Sequence, residues 1–96
     1  MNPFKLFRRP KPDTEEARRT RLLQQGRITD AIVNDVGVDD DNQTVVIYFT
    51  YEHNGVDYQS SHTLDDAQRT RAGDYAPGST ITIRFDPRIP TNSIVV

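Results

Sequence analysis

The sequence contains no cysteine among its 96 residues. This absence excludes disulfide bonds, thiolate nucleophiles and thiolate metal ligands, and it is compatible with a reducing compartment. There is also no run of about 18 apolar residues, so the sequence predicts no membrane-spanning helix. The first ten residues, MNPFKLFRRP, lack the apolar stretch and cleavage site of a signal peptide. We therefore expect a cytoplasmic protein. A chain of this length forms one small domain at most and buries only about 60–65% of its unfolded surface.

Charge is distributed unevenly along the chain. Residues 1–27 carry eight basic and three acidic side chains (8 − 3 = +5), whereas residues 28–96 carry four basic and eleven acidic ones (4 − 11 = −7). A basic N-terminal segment on an acidic body suits contact with an anionic surface through that segment, while nucleic acid would repel the body. The charge pattern therefore divides the chain into two parts.

We call residues 1–12 the leader. Its three prolines disfavour helix, so we expect the leader to be flexible and a single β-rich domain to span residues 13–96. Cations beside phenylalanines are typical of a segment at an anionic membrane surface, where each basic side chain contributes about 1 kcal/mol. Two alternatives are a solvated terminus and an arm that binds nucleic acid. The candidate contact residues are Phe4, Lys5, Phe7, Arg8, Arg9 and Lys11.

The segment DTEEARRTRLLQQG predicts a helix over residues 13–25. Asp13 is the expected N-cap, with Glu16 three residues later, and Gly26 is expected to end the helix in the left-handed conformation. A helix of about twelve residues with few apolar side chains is marginal alone. We therefore expect Leu22 and Leu23 to anchor it on the rest of the domain.

From residue 27 onward the hydrophobic pattern has the two-residue period of β-strands. In RITDAIVNDVGV we expect Ile28, Ile32 and Val36 to share a face. In TVVIYFTYEH the side chains at positions 45, 47, 49 and 51 are expected to point to the core. The opposite face of this strand carries Val46, Tyr48 and Thr50.

Turn signals separate the predicted strands. Asn54-Gly55 predicts a type I′ hairpin leading to a strand over residues 56–64, with one helical turn after Asp65. The segments STITIRF and NSIVV predict two more strands. Together the pattern predicts a mainly β, α+β fold: a small five-stranded antiparallel sheet or partly open barrel with one N-terminal helix.

The C-terminal segment FDPRIPTNSIVV is expected to be architectural. Asp86 precedes a proline and can accept a hydrogen bond from the N–H of Arg88 in an Asx turn. Pro87 and Pro90 lack an N–H and cannot continue a central ladder. The segment should therefore end one strand and direct the next.

The order of these features resembles a bacterial family called domain of unknown function 3592 over about residues 26–96. The residues that carry the resemblance most specifically are Gly78, Phe85, Asp86, Pro87 and Pro90. The resemblance implies a compact β module without an established activity, often found beside transmembrane helices. The sequence has no such helix; if the family works at membranes, the basic, Phe-bearing leader would replace the missing anchor.

Candidate catalytic and metal-binding patterns are weak. His53 and His62 would not lie opposite each other on paired strands, so a two-histidine metal site is not expected. Ser60 shares a face with His62, which leaves a small hydrolase-like enzyme as a remote alternative. Asp39 to Asn42 lack the later ligands of a calcium loop and should form an acidic turn. We expect no cofactor and no metal.

The face bearing Val46, Tyr48 and Thr50 has two possible fates. If the helix covers it, these are core residues, and this is the alternative we favour because Leu22 and Leu23 need a docking surface. If it stays open, it is a candidate surface for a protein partner. The sequence thus predicts a non-catalytic interaction module of unknown partner and oligomeric state, with two further possibilities: peripheral attachment to a membrane, and a nucleic-acid-binding accessory role.

Overall fold

The computed structural model describes residues 14–96 as an antiparallel five-stranded sheet with one long helix. The helices are α1 (Glu15–Gln25) and the single turn α2 (Asp66–Arg69), and a 3-10 turn covers Ala72–Tyr75. The strands are β1 (Arg27–Val38), β2 (Thr44–His53), β3 (Val56–Thr63), β4 (Thr80–Asp86) and β5 (Ile89–Val95). The predicted leader lies outside the described residues.

The sheet curls into a nearly closed barrel. Its strand order is β3-β2-β1-β4-β5, and every neighbouring pair is antiparallel. The two edge strands, β3 and β5, approach each other, and we call the gap between them the seam. The predicted fold class is confirmed.

The core fills the inside of this curled sheet. Phe49, Phe85, Ile47, Ile83 and Val33 are almost completely shielded from water. Aromatic rings pack beside them: the ring centroids of Tyr51 lie 5.8 Å from Phe49 and 5.6 Å from Phe85. The alternation predicted for β2 is confirmed at positions 47, 49 and 51.

The prediction that Ile28, Ile32 and Val36 share one face of β1 is wrong. Ile28 and Ile32 point outward, with 57% and 45% of their surface exposed, while Ala31 and Val33 are buried. A register irregularity follows Val33, so two residues of β1 lie opposite one of β2. A bulge of this kind reverses the alternation downstream, which is why Val36 returns to the inner side.

The N-cap of helix α1 lies one residue later than predicted, and the helix itself begins at Glu15. Thr14 is its N-cap, since Thr14 Oγ1 accepts a hydrogen bond from the N–H of Ala17 at 3.0 Å. Gly26 is extended (φ −69°, ψ 149°) rather than left-handed. Leu22 is buried, but Leu23 is 51% exposed, so only one of the two predicted anchors holds the helix.

The helix packs beside β4 and β5 instead of covering the outer side of β2. Tyr48 is consequently 45% exposed, and Val46 and Thr50 are half-buried. The favoured expectation that α1 covers this face is therefore wrong. The sheet presents it to solvent.

The turns follow the sequence more closely. Asn54 (φ 54°) and Gly55 (φ 79°) both have positive φ, as a type I′ hairpin between β2 and β3 requires. Asp86 Oδ1 accepts from the N–H of Arg88 at 2.8 Å, which confirms the Asx turn. β5 begins at Ile89, earlier than the predicted NSIVV strand, because Pro90 lies on an edge where no ladder N–H is needed.

Candidate functional site

Two regions bring polar or exposed apolar side chains together. The first is the outer side of β1, β2 and β3, which we call the outer face. We define it by eight residues: Ile28, Asp30, Ile32, Val46, Tyr48, Thr50, Glu52 and Asp57. The second is the seam between β3 and β5.

Exposed apolar side chains mark the outer face. Ile28, Ile32 and Tyr48 are each about half exposed, although β-branched and aromatic residues are often buried in sheets. Gly37 lies opposite Val46, where a Cβ would collide with the Val46 side chain and lie 3.9 Å from the ring of Tyr48. The absence of a side chain at Gly37 leaves the space that the Val46 side chain occupies.

Three carboxylates border this apolar surface. Glu52 and Asp57 are directly opposite each other on β2 and β3, and Asp30 lines the same shallow groove. Within residues 14–96, the acidic partners of the ion pairs are Glu15, Asp39, Asp65 and Asp86. The outer-face carboxylates are not among them. Like charges directly opposite on neighbouring strands repel, so a nearby cation would relieve the repulsion between Glu52 and Asp57.

The predicted partner residues belong to this face. Val46, Tyr48 and Thr50 lie on it, as the pattern of β2 indicates, but sequence reasoning missed Ile28, Ile32 and the carboxylates. A signal existed in the regular spacing of Ile28, Asp30 and Ile32. The bulge after Val33 could not be read from that spacing. The predicted leader contacts, from Phe4 to Lys11, lie outside the described residues.

At the seam, side chains replace a backbone ladder. The N–H of Val95 donates to His62 Nδ1 at 3.3 Å, and Gln68 Nε2 donates to the carbonyl of Val95 at 3.0 Å. His62 Nε2 and Gln68 Oε1 are 2.8 Å apart. All three residues are buried, so this closed set of hydrogen bonds is shielded from water.

Further along the seam, two hydroxyls reach β5. Tyr51 donates to the carbonyl of Pro90, and Ser60 Oγ donates to the carbonyl of Thr91 at 3.1 Å. Ser60 and His62 thus bond to different groups on β5. Both side chains therefore contribute to closing the seam.

Helix α1 spans the seam with two arginines. Arg18 donates to Asn92 Oδ1 (2.8 Å) and to the carbonyl of Ser93 (3.1 Å) on the β5 side. Arg19 donates to the carbonyl of Thr63 at 3.1 Å on the β3 side. These contacts were not predicted, since the helical pattern alone does not reveal which arginines meet carbonyls.

Burial and charge at the seam favour the neutral form of His62. Burial lowers the pKa of His62, and the nearby arginines Arg18 and Arg19 lower it further, against opposing effects of the Gln68 hydrogen bond and the Asp65 charge. Burial likewise raises the pKa of Tyr51. Both shifts favour the uncharged forms.

The acidic turn and surface arginines have structural contacts. Asp39 Oδ1 accepts from the N–H groups of Asp41 and Gln43, both at 3.0 Å, as an Asx turn does. Arg69 pairs with Asp39 at 3.2 Å, across 30 residues of sequence. In the described part of the chain, no three His, Asp or Glu side chains are grouped as metal ligands would be.

A sequence model described as "Domain of unknown function (DUF3592)" matches residues 24–96, which is 73 of the 96 positions (96 − 24 + 1). The chain belongs to the DUF3592 family. The match begins near the end of α1 and includes the whole barrel, so the family domain and the side-chain-closed sheet coincide. Searches of curated proteins and of solved structures found no match. Among residues 14–96, no helix has the length and apolar character needed to cross a membrane.

Proposed function

We propose that this DUF3592 domain is a non-catalytic interaction module that binds a cationic, apolar-bearing segment of a protein partner on the outer face. The observation that carries the proposal is the combination of exposed Ile28, Ile32 and Tyr48 with the carboxylates of Asp30, Glu52 and Asp57. Arg84 of β4 lies opposite Ile28, where it donates to the carbonyl of Gly26 at 3.1 Å, so negative charge predominates at the other end of the face, near Glu52 and Asp57. An apolar surface bordered mainly by carboxylates favours a cationic partner that also offers apolar side chains.

Strand geometry supports this assignment. The outer face extends over three adjacent strands, and paired strands hold Glu52 opposite Asp57 without help from a loop. Because the scaffold is a hydrogen-bonded sheet, a partner need not order the surface before it binds. Burial of Ile28, Ile32 and Tyr48 would stabilise the complex, while the carboxylates would orient the partner and accelerate its approach.

A defined probe for this chemistry is a synthetic peptide with the sequence of residues 1–12, which combines Lys and Arg with Phe. The receptor is the full chain with Lys5, Arg8, Arg9 and Lys11 replaced by Ser, so that its own leader does not compete. A dye on the peptide reports binding by fluorescence anisotropy. We expect saturable binding that weakens as salt rises, because the charges are exposed.

Two matched triple variants of this receptor distinguish binding at the outer face from attraction to the overall negative charge of the domain. Neutralising Asp30, Glu52 and Asp57 to amides should weaken binding at least about tenfold, equal to about 1.4 kcal/mol. Neutralising Asp40, Asp41 and Asp74, which lie elsewhere on the surface, should leave it within about twofold. Equal losses in both triple variants would show that only net charge matters and would refute the proposed surface.

The leader supports a second candidate function, attachment to an anionic membrane surface. Its cations and phenylalanines stand apart from an acidic body, so it is the part of the chain that anionic lipid would attract. Co-sedimentation with phosphatidylcholine vesicles, with and without phosphatidylserine, tests this. Binding should require phosphatidylserine and be lost when residues 1–12 are removed. If the full chain binds a DNA duplex as strongly as it binds the phosphatidylserine vesicles, the result would instead favour the nucleic-acid alternative.

A further inference from the structure

The end of β5 is held to β3 through one histidine and one glutamine. Val96 donates its N–H to the carbonyl of Thr82 on β4 at 3.1 Å, and the polar groups of successive strand residues point to opposite sides. The N–H and C=O of Val95 therefore face the seam. His62 and Gln68 satisfy both of them.

The direction of these hydrogen bonds fixes the protons on the imidazole. Val95 donates an N–H, so His62 Nδ1 must accept and carries no proton. His62 Nε2 then donates to Gln68 Oε1, which also accepts from the N–H of Asp65 at 3.1 Å. A second proton would place an Nδ1–H against the Val95 N–H. Two donors would face each other inside a buried site, which is costly.

The charged groups around the imidazole give a protonated ring little net support. Arg18 and Arg19 approach from α1, Arg71 lines the same cavity, and Asp65 at the start of α2 is the acidic counterpart. Burial disfavours the charged ring most strongly, and the arginines add to that effect. The repulsion between a protonated His62 Nδ1 and the Val95 N–H is therefore removed only if Val95 moves away.

We propose that His62 is a proton-sensitive clasp: the neutral ring closes the sheet at Val95, and the protonated ring releases the end of β5 from β3 while the β4–β5 ladder stays intact. Opening would free the N–H of Val95 and leave its C=O held by Gln68 alone. An unpaired N–H on an edge strand can pair with another strand, so acidity would expose a second recognition surface.

Amide hydrogen exchange of the full chain, measured by NMR at about pH 7.5 and about pH 5.5 and corrected for intrinsic rates, tests the clasp. We expect the protection of Val95 to fall by up to about tenfold at the lower pH, because an opened ring with an ordinary pKa near 6.5 takes up its proton within this window, one pH unit below that pKa. The amide of Ile94, in register with Arg84 on β4, should lose less protection than that of Val95, because global unfolding exposes it but opening of the clasp does not. Equal protection of Val95 at both pH values would overturn the proposal.

Two variants assign the effect to one ring. In His62→Gln, which cannot be protonated, the protection of Val95 should not change with pH, whereas His53→Gln should keep the wild-type response. If the response survives in His62→Gln, the clasp is refuted. If that variant does not fold, the ¹⁵N chemical shifts of the wild-type His62 ring decide. The proposal requires Nδ1 to be unprotonated at neutral pH and to gain its proton over the pH range in which Val95 loses protection. A proton on Nδ1 at neutral pH contradicts the proposal.

Discussion

His62 Nδ1 accepts a hydrogen bond from the N–H of Val95 at 3.3 Å, across the gap between the two edge strands. This relationship joins residues 33 positions apart and turns an open sheet into a nearly closed barrel. Side chains from β2 and β3, together with Arg18 and Arg19 of α1, assist it. The seam is therefore a point where small chemical changes should alter the fold.

The global stability should fall as the pH decreases from about 7 to about 5. The folded state lowers the pKa of His62 through burial, whereas the unfolded chain binds a proton near pH 6.5. In that window the unfolded state holds more protons, so the free energy of unfolding decreases with decreasing pH. Urea denaturation across the window checks this, and His62→Gln should flatten the dependence. A wild-type stability that rises towards pH 5 would contradict the account.

Tyr51→Phe should destabilise the domain by about 1–2 kcal/mol, the usual cost of leaving a partly buried acceptor without its donor. The lost hydroxyl donates to the carbonyl of Pro90 on β5, while the ring stays in the core. Tyr48→Phe is the matched control and should change stability by less than about 0.5 kcal/mol, since Tyr48 is an exposed outer-face residue. Chemical denaturation measures the free energy of unfolding of both variants. Similar decreases in the two would show that the Tyr51 hydroxyl does not stabilise the domain.

Leu22→Ala and Leu23→Ala should differ sharply. Leu22 is 3% exposed and its truncation should cost about 2–5 kcal/mol, whereas Leu23 is 51% exposed and should cost less than about 0.5 kcal/mol. The readout is the midpoint of thermal unfolding. A larger loss at Leu23 would mean that α1 is rotated about its axis relative to the arrangement described.

Glu52→Gln should stabilise the domain slightly, by about 0.2–1 kcal/mol, because it removes the repulsion with Asp57 directly opposite. Asp40→Asn, in the acidic turn, serves as the control and should have little effect. Urea titrations at low ionic strength give the best resolution. If the outer face serves binding at some cost in stability, Glu52→Gln should raise the free energy of unfolding and weaken peptide binding. A lower free energy of unfolding would contradict this interpretation.

Much of the architecture could be predicted from the sequence because it depends on local rules. The alternation in β2, the positive φ values at Asn54 and Gly55, and the Asx turn at Asp86 each depend on a few neighbouring residues. The family resemblance over about residues 26–96 is confirmed by the match to residues 24–96. These features need no knowledge of the tertiary contacts.

What could not be predicted depends on contacts between distant segments. The bulge after Val33 reverses the face of β1, and only pairing with β2 reveals it. Likewise, His62 and Gln68 meet Val95 only once the sheet curls. The uncovered outer face follows from where α1 packs, which its few apolar residues do not determine.

The measurement that tests the proposed function most directly is a paramagnetic relaxation experiment with the residue 1–12 peptide carrying a spin label. The receptor is the full chain with the four leader cations replaced by Ser. The account predicts broadening of the amide signals of Ile28, Ile32 and Glu52, relieved by neutralising Asp30, Glu52 and Asp57. Broadening centred on the acidic turn at Asp40, or none at saturating peptide, would contradict the claim that the outer face binds the partner.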